Sequence, residues 1–400
     1  MTRFKGQLAL GAVLVLAAAA CGPAGGSAAP TTGGSTTTPA TTGTGTTAPG
    51  SGAPATTAAM TPVKLQLQWV TQAQFAGYYA ALDQGYYKDA GLDVSILIGG
   101  PQVNNVQAVA SGAADIGVAW LPNMLRSREG ASGTPGTDLV SISQIFSRSG
   151  TRMVSFKSKN ITTPEDMLGK KIGSWLGGNE PELFAALTKA GSDPAKENVI
   201  QQNFDMLGLL GGDLDVAQAM IYNEYAQVLE AKNPDTGELY KPEDYNVIDF
   251  NDPSVGTAML QDQLFASEAW LAKPGNEDVA TRFLTASYRG WIYCRDNAQA
   301  CVDLVLDKGS QLGASHQAWM MNEINGLIWP STAGIGQFDQ AAYDQTVDIA
   351  VTYKVLTKEP DANATRSDLA AAALAALPSG TDGKGATWVR QTITLNEGGS

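Results

Sequence analysis

The 400-residue chain holds one histidine, His316, and three cysteines, Cys21, Cys294 and Cys301. So few imidazole and thiolate groups leave nothing from which to assemble a protein-built zinc site or a His-based catalytic triad. No metal, cofactor or catalytic residue is expected. Positive charge is scarce as well, with 26 Lys and Arg against 39 Asp and Glu and a net charge of −13. Phosphate contacts need clustered Lys and Arg, which argues against nucleic acid as a partner. A mean hydropathy of −0.10 leaves no room for a bundle of membrane helices. Apolar residues still make up 44% of the chain, enough for a full core, and the length suggests two folded units plus something more. The shortages lean toward binding rather than catalysis.

What is present begins with export. Arg3 and Lys5 precede a run from Leu8 to Ala20 in which Gly11 alone interrupts aliphatic residues. This is the basic-then-apolar pattern of a secretory signal, too short to be read as a membrane span. Ala18-Ala19-Ala20-Cys21 resembles a bacterial lipobox, with Ala18 where that pattern usually has Leu. The resemblance implies removal of residues 1–20 and acylation of the Cys21 thiol, palmitate included. The product would be lipid-anchored to the cell membrane, facing the periplasm or the exterior. Plain secretion after an Ala-x-Ala cut is the alternative. From 22 to 62 every residue except Met60 is Gly, Ala, Ser, Thr or Pro, without charge. Such a segment cannot offset its ordering entropy, so 21–62 reads as a disordered leash.

From residue 63 onward short β-rich runs alternate with helix-period segments, which is an α/β pattern with mostly parallel sheets flanked by helices. Strands are expected at 63–69, 92–98, 114–120, 139–146, 152–156, 171–175, 198–202, 215–221, 247–249 and 257–260. Phe75, Tyr78, Tyr79 and Leu82 lie at helical spacing before the stop at Gly85, and Thr163-Pro164-Glu165-Asp166 reads as a capped helix start. Ser111-Gly112-Ala113-Ala114-Asp115 is echoed by Gly211-Gly212-Asp213-Leu214-Asp215, one hundred residues on. The echo suggests one βαβ unit in each of two similar lobes. Beyond residue 266 helices dominate: 267–271, 278–295, 299–308, 315–328, 339–353 and 367–377. The expected plan is lobe 1 from 63–156 and 258–358, lobe 2 from 157–257, and a C-terminal helix and tail at 359–400. The chain would cross between lobes near Phe156 and Thr257, and the C-terminal helices would pack on lobe 1.

Leu67-Gln68-Trp69, Gln74-Phe75-Ala76-Gly77-Tyr78-Tyr79 and Gly85-Tyr86-Tyr87-Lys88-Asp89-Ala90-Gly91-Leu92 carry a resemblance. Together with Leu168-Gly169-Lys170-Lys171-Ile172-Gly173 and Tyr222-Asn223-Glu224-Tyr225, they resemble the solute-binding proteins of the thiamine-pyrimidine-precursor type, over roughly 63–356. That family includes importer components for formylated aminopyrimidines, a riboflavin-binding branch, sulfonate and nitrate binders, and a yeast enzyme that builds the thiamine pyrimidine. The resemblance implies a two-lobed periplasmic-binding-protein fold of type II and an ABC permease as partner. The enzyme consumes pyridoxal phosphate and its own histidine, needs iron and carries a cysteine-rich run. Here the first helix has neither Lys nor His, the second lobe has no cysteine cluster, and His316 falls in the C-terminal helices, where an exposed or capping role is the default.

Ligands of open α/β sheets sit beyond the carboxyl ends of strands. Those ends are Gln68-Trp69, Gly99-Gly100, Trp120-Leu121, Trp175 through Glu180, and Tyr222-Asn223-Glu224, and Gln74 and Tyr78 join them from the family motif. Trp69, Trp120, Trp175 and Tyr222 suit stacking on a flat ring. Gly177 and Gly178 would offer backbone N–H groups, while Asn179, Asn223, Glu180 and Glu224 would meet ring N–H, amino or hydroxyl groups. Core packing is the competing role for Trp69 and Trp120, strand capping for Trp175, and a helix-dipole contact for Glu224. None of these segments contains Lys or Arg, which favours a neutral nitrogen heterocycle over an anion. The supply of rings and amides tilts the choice slightly to riboflavin over a thiamine pyrimidine precursor. Cys294 and Cys301 flank a plausible helix break, so a disulfide or two buried thiols is expected. The expected molecule is a monomeric binding lipoprotein; an enzyme on the same fold and a sensor ectodomain are the competing classes.

Overall fold

The computed structural model describes residues 59–130 and 134–400. The expected signal segment, Cys21 and the leash as far as residue 58 lie outside the described residues. The strands are β1 (Thr61–Gln66), β2 (Leu92–Leu97), β3 (Ile116–Trp120), β4 (Leu139–Gln144), β5 (Thr151–Phe156), β6 (Ile172–Ser174), β7 (Val199–Gln201), β8 (Val216–Met220), β9 (Tyr245–Asp249) and β10 (Asp262–Ser267). They form two sheets, ordered β2-β1-β3-β10-β4 and β7-β6-β8-β5-β9. In each, the first three strands run parallel and the fourth runs against both neighbours. Strands β4, β8 and β10 are buried along their whole length, as a sheet covered on both faces by helices requires.

The sequence echo has a physical meaning. Asp115 accepts the Lys64 N–H at 2.8 Å and donates its own N–H back to the Lys64 carbonyl. Asp215 does the same with Lys171, at 3.0 Å. Gly112 and Gly212 precede them at φ +75° and +81°, a region open to glycine. Each aspartate thus fixes the register of β3 on β1, or of β8 on β6.

Several boundaries differ from expectation. Strand β1 begins at Thr61, paired with Leu92, so the sheet reaches into the expected leash. Strand β5 pairs with β8 and β9, so the chain crosses to the second sheet at 145–150, ahead of Phe156. Segment 257–260 is not a strand but the return crossing. Its N–H groups are all claimed elsewhere, Thr257 and Ala258 by the Phe250 carbonyl, Met259 by Glu182 Oε1 at 2.6 Å and Leu260 by Thr346 Oγ1 at 2.9 Å, leaving none for a ladder. The segment at Thr163 forms only a 3-10 turn, Glu165–Met167, and its cap is the Asp166 carboxylate, which accepts from the Thr162 and Thr163 N–H groups.

The two crossings are laced together by side-chain amides. Gln261 Oε1 accepts the Gly150 N–H at 2.7 Å and Gln261 Nε2 donates to Thr151 Oγ1 at 2.6 Å. Asn251 exchanges two bonds with the Ser149 backbone.

The C-terminal helices touch more than the first sheet's lobe. Helix Asn276–Asp296 does pack there, on helix Ala76–Asp83, where a Cβ on Gly290 would collide with the Gly77 carbonyl. Helix Ala314–Ile328, however, reaches the other lobe, with Trp319 Nε1 donating to the Ile221 carbonyl at 2.9 Å. The Gly- and Thr-rich tail is held by backbone bonds such as Ile335 N–H to Gly383 and by Arg390 on Glu323, and it ends with Glu397 on Lys232.

Asn297, at φ −134° and ψ 54°, separates helix Asn276–Asp296 from helix Ala298–Asp307. The break brings the Cα atoms of Cys294 and Cys301 to 5.5 Å, where the two are joined by a disulfide. Alkylation of the exported protein without reductant should leave both cysteines unlabelled, with labelling only after reduction; a peptide map showing both labelled beforehand would contradict the bond.

Candidate functional site

Beyond the carboxyl ends of the parallel strands the lobes enclose a cavity of about 300 Å3. The first lobe contributes Gln68, Trp69, Gln72 and Gln74 after β1, Gly100, Pro101, Val103 and Asn105 after β2, and Trp120 and Asn123 after β3. The second contributes Trp175, Gly177 and Asn179 after β6, Phe204 after β7, and Met220, Tyr222, Asn223 and Glu224 after β8. The walls meet at the rim. Trp69 and Phe204 rings lie 4.7 Å apart between centroids, and a Cβ on Gly178 would come within 3.1 Å of Asn123 Oδ1.

Ten of the expected residues, Gln68, Trp69, Gln74, Trp120, Trp175, Gly177, Asn179, Tyr222, Asn223 and Glu224, line this cavity. Three others do not. Tyr78 is fully buried and sets its ring edge-on to Trp291 at 5.5 Å, because the helix face carrying it packs on Asn276–Asp296. Glu180 turns back on its own loop and accepts the Gly178 N–H at 2.7 Å, so that amide is not free for a ligand. The loop needs such a brace, since Leu176, Gly177 and Gly178 all have positive φ.

Sequence reasoning missed Asp262, which underlies the first wall. It accepts from Gln68 Nε2 at 2.6 Å and Gln74 Nε2 at 2.8 Å. Burial pushes its carboxyl up to about 7, against the pull of the Gln74 and Gln68 amides and the Trp120 indole. In the other wall Glu224 accepts the Met220 N–H at 3.0 Å and Asn223 Nδ2 at 2.9 Å, and burial raises it to about 7 as well. The same burial, with the charges of Asp262 and Glu224 nearby, drives the Tyr222 hydroxyl well above its ordinary value, so it remains a donor. Phe204 was missed too, although it stands just past the end of β7, where the strand-end rule would have found it.

His316 is neither exposed nor a cap. Its Nδ1 lies 2.9 and 3.0 Å from the Glu230 carboxylate oxygens and its Nε2 lies 3.0 Å from Asn223 Oδ1, which places it directly behind the second wall. Among the described residues no group of His, Cys, Asp and Glu is arranged to hold a metal, and no helix is long and apolar enough to cross a membrane.

Residues 72–300 match the family model described as "NMT1/THI5 like". The chain belongs to the NMT1/THI5-like family. A formylaminopyrimidine-binding protein of Halalkalibacterium halodurans is 22% identical over 250 residues, covering 62% of this chain and 71% of that one. The periplasmic aliphatic sulphonate-binding protein of Escherichia coli superposes with a TM-score of 0.55 at 16% identity, over 75% of this chain and 90% of that one. The nitrate-binding protein of Synechocystis does so with a TM-score of 0.54 at 14% identity, over 85% and 94%. The fold is that of periplasmic binding proteins. The NMT1/THI5-like match takes in every lining residue named above except Gln68 and Trp69.

Asp262, Glu224 and Glu182 are each held at about 7, chiefly by burial. Their ordinary values are 3.8 for Asp and 4.5 for Glu, so between these and 7 the folded chain holds protons that the unfolded chain has lost. Their contribution to stability is therefore full below the ordinary values and fades as pH rises through 7. Asp166, Asp215 and Asp361 are shifted the opposite way, by hydrogen bonds to Thr162, Lys159 and Arg128 respectively, and act only at the acid end. Melting temperature should thus fall from pH 5 to pH 8, and Glu182→Gln should flatten the slope; a rising profile over that window would refute the assignment.

Proposed function

We propose that this chain is a lipid-anchored solute-binding protein of an ABC importer that captures a flat, amino-substituted nitrogen heterocycle between its lobes and delivers it to the permease. The observation that carries the proposal is the lining of the cleft: Trp69, Trp120, Trp175, Phe204 and Tyr222 with amide side chains and Glu224, backed by Asp262 behind the Gln68 and Gln74 amides, and no Lys, Arg or His among the lining residues. Rings hold a flat ligand by its faces, while carboxylates and amides take its edge donors. An anion such as a sulfonate or nitrate would meet two buried acids and no cation, so the fold shared with such binders does not extend to their ligand.

Within the heterocycles, a cavity of about 300 Å3 suits a single-ring thiamine pyrimidine precursor better than the three-ring riboflavin with its ribityl chain. The name of the Halalkalibacterium halodurans relative points the same way. Riboflavin remains the second candidate because of the number of aromatic rings. The mechanism is binding and release, with lobe closure burying the ring and presenting the closed form to the permease. An enzyme on this fold would need a nucleophile or a cofactor group at the cleft, and the lining residues offer no Cys, His or Lys.

Titration of the purified protein with hydroxymethylpyrimidine or formylaminopyrimidine should quench tryptophan fluorescence saturably, while nitrate and alkanesulfonates should not compete. Trp69→Ala should weaken binding about five- to hundred-fold, the range that loss of one stacking partner gives. Saturable binding of a sulfonate, or turnover of a bound pyrimidine, would overturn the reading. For the anchor, the wild-type product should partition into Triton X-114 and a Cys21→Ser product into the aqueous phase; equal partitioning would leave plain secretion as the route.

A further inference from the structure

We propose that Asp262 sets the hydrogen-bond polarity of the first-lobe wall, turning Gln68 directly and Gln72 through Gln74, so that the Gln72 and Gln68 carbonyl oxygens meet the ligand and select it by an exocyclic amino group. The inference rests on the heterocycle-binding reading and deepens it.

An ionised carboxylate can only accept, and both amides that touch Asp262 present their nitrogens to it. Gln74 Nε2 lies 2.8 Å from Oδ2 and Gln68 Nε2 lies 2.6 Å from Oδ1. With its nitrogen turned to Asp262, Gln74 has only its carbonyl for the next neighbour, and Oε1 accepts from Gln72 Nε2 at 2.7 Å. The orientation is therefore relayed one residue further. Gln72 is left with its carbonyl, and Oε1 has no hydrogen-bond partner although the residue is only 2% exposed and lines the cleft. A buried carbonyl without a donor is costly, which makes Gln72 Oε1 the natural acceptor for a ligand N–H. Gln68 Oε1 is likewise the one polar atom of its side chain not turned to Asp262. Opposite, both Glu224 oxygens also accept. A ring bearing an amino group satisfies the first wall, whereas an oxo group in the same place sets oxygen against oxygen. Sites built to bond a polar group reject the analogue lacking it far more strongly than apolar pockets reject a size change.

The test compares an aminopyrimidine with the matching pyrimidinone, in which oxo replaces amino, by calorimetric titration of the whole exported protein. Wild type should prefer the amino compound by at least about ten-fold, the scale of one unpaired buried polar group. Asp262→Asn should erase or invert that preference, because its own NH2 would turn one glutamine around. Gln72→Met removes the terminal acceptor with little change in shape. It should cut affinity for the amino compound by about ten-fold or more while sparing the oxo compound, and, because Gln74 Oε1 loses its donor, lower the melting temperature slightly. Equal wild-type affinity for the two compounds, or an unchanged preference in Gln72→Met, would refute the relay while leaving the binding function intact. Wild type that binds neither compound would bring down the proposed function and the relay together. Should Asp262→Asn fail to fold, the Gln72→Met preference decides.

Discussion

The fold turns on the burial of three consecutive polar residues, Gln261, Asp262 and Gln263, where the chain returns to the first sheet. Each is at most 2% exposed and each serves a different part. Gln261 binds the two crossings together, Asp262 holds the amides of the cleft, and Gln263 accepts from Ser141 to tie β10 to β4. Burying such groups is unfavourable unless each finds partners, and the partners here are the elements that must stay in register for the cleft to exist. Hinge, site and sheet are thus coupled through one short stretch.

That coupling explains the electrostatic character of the cleft. Without a cation in its lining, burial outweighs the hydrogen bonds that Asp262 and Glu224 accept and pushes both up to about 7. The aromatic rings supply apolar area without charge, so in the proposed binding role discrimination falls to the direction of a few hydrogen bonds. The same family fold carries sulphonate and nitrate binders, which shows how little the backbone plan says about the ligand.

Much of this plan was legible in the sequence because it rests on local signals. Nine strands were found within a few residues of their ends, the helix lengths beyond residue 266 were nearly right, and the one-hundred-residue echo located the register aspartates. The failures share a cause. Residues 257–260 look like a strand by composition, yet their amides are taken by the Phe250 carbonyl and by Glu182 and Thr346, two side chains distant in sequence. The true strand opens with Gln261-Asp262-Gln263, which reads as a loop, and with it Asp262 was lost from the site. Tyr78 and His316 were misplaced for a similar reason: helical spacing gives a face, but which neighbour covers that face is a tertiary fact. Gly178 was read as a free donor because a carboxylate two residues on cannot be seen to fold back from sequence alone.

The shared plan of the two sheets has one more implication. Trp120 faces Asp262 across the ladder in the first sheet, and Met220, one hundred residues on, faces Thr151 in the second. Where one half carries an acid, its twin carries a hydroxyl. A cleft framed by two copies of one design is nearly symmetric, and a symmetric frame cannot tell a molecule's front from its back. The departure from symmetry at these paired positions separates the two halves: the acid braces the Gln68 and Gln74 amides of the cleft wall, while the hydroxyl is spent on Gln261 at the crossing.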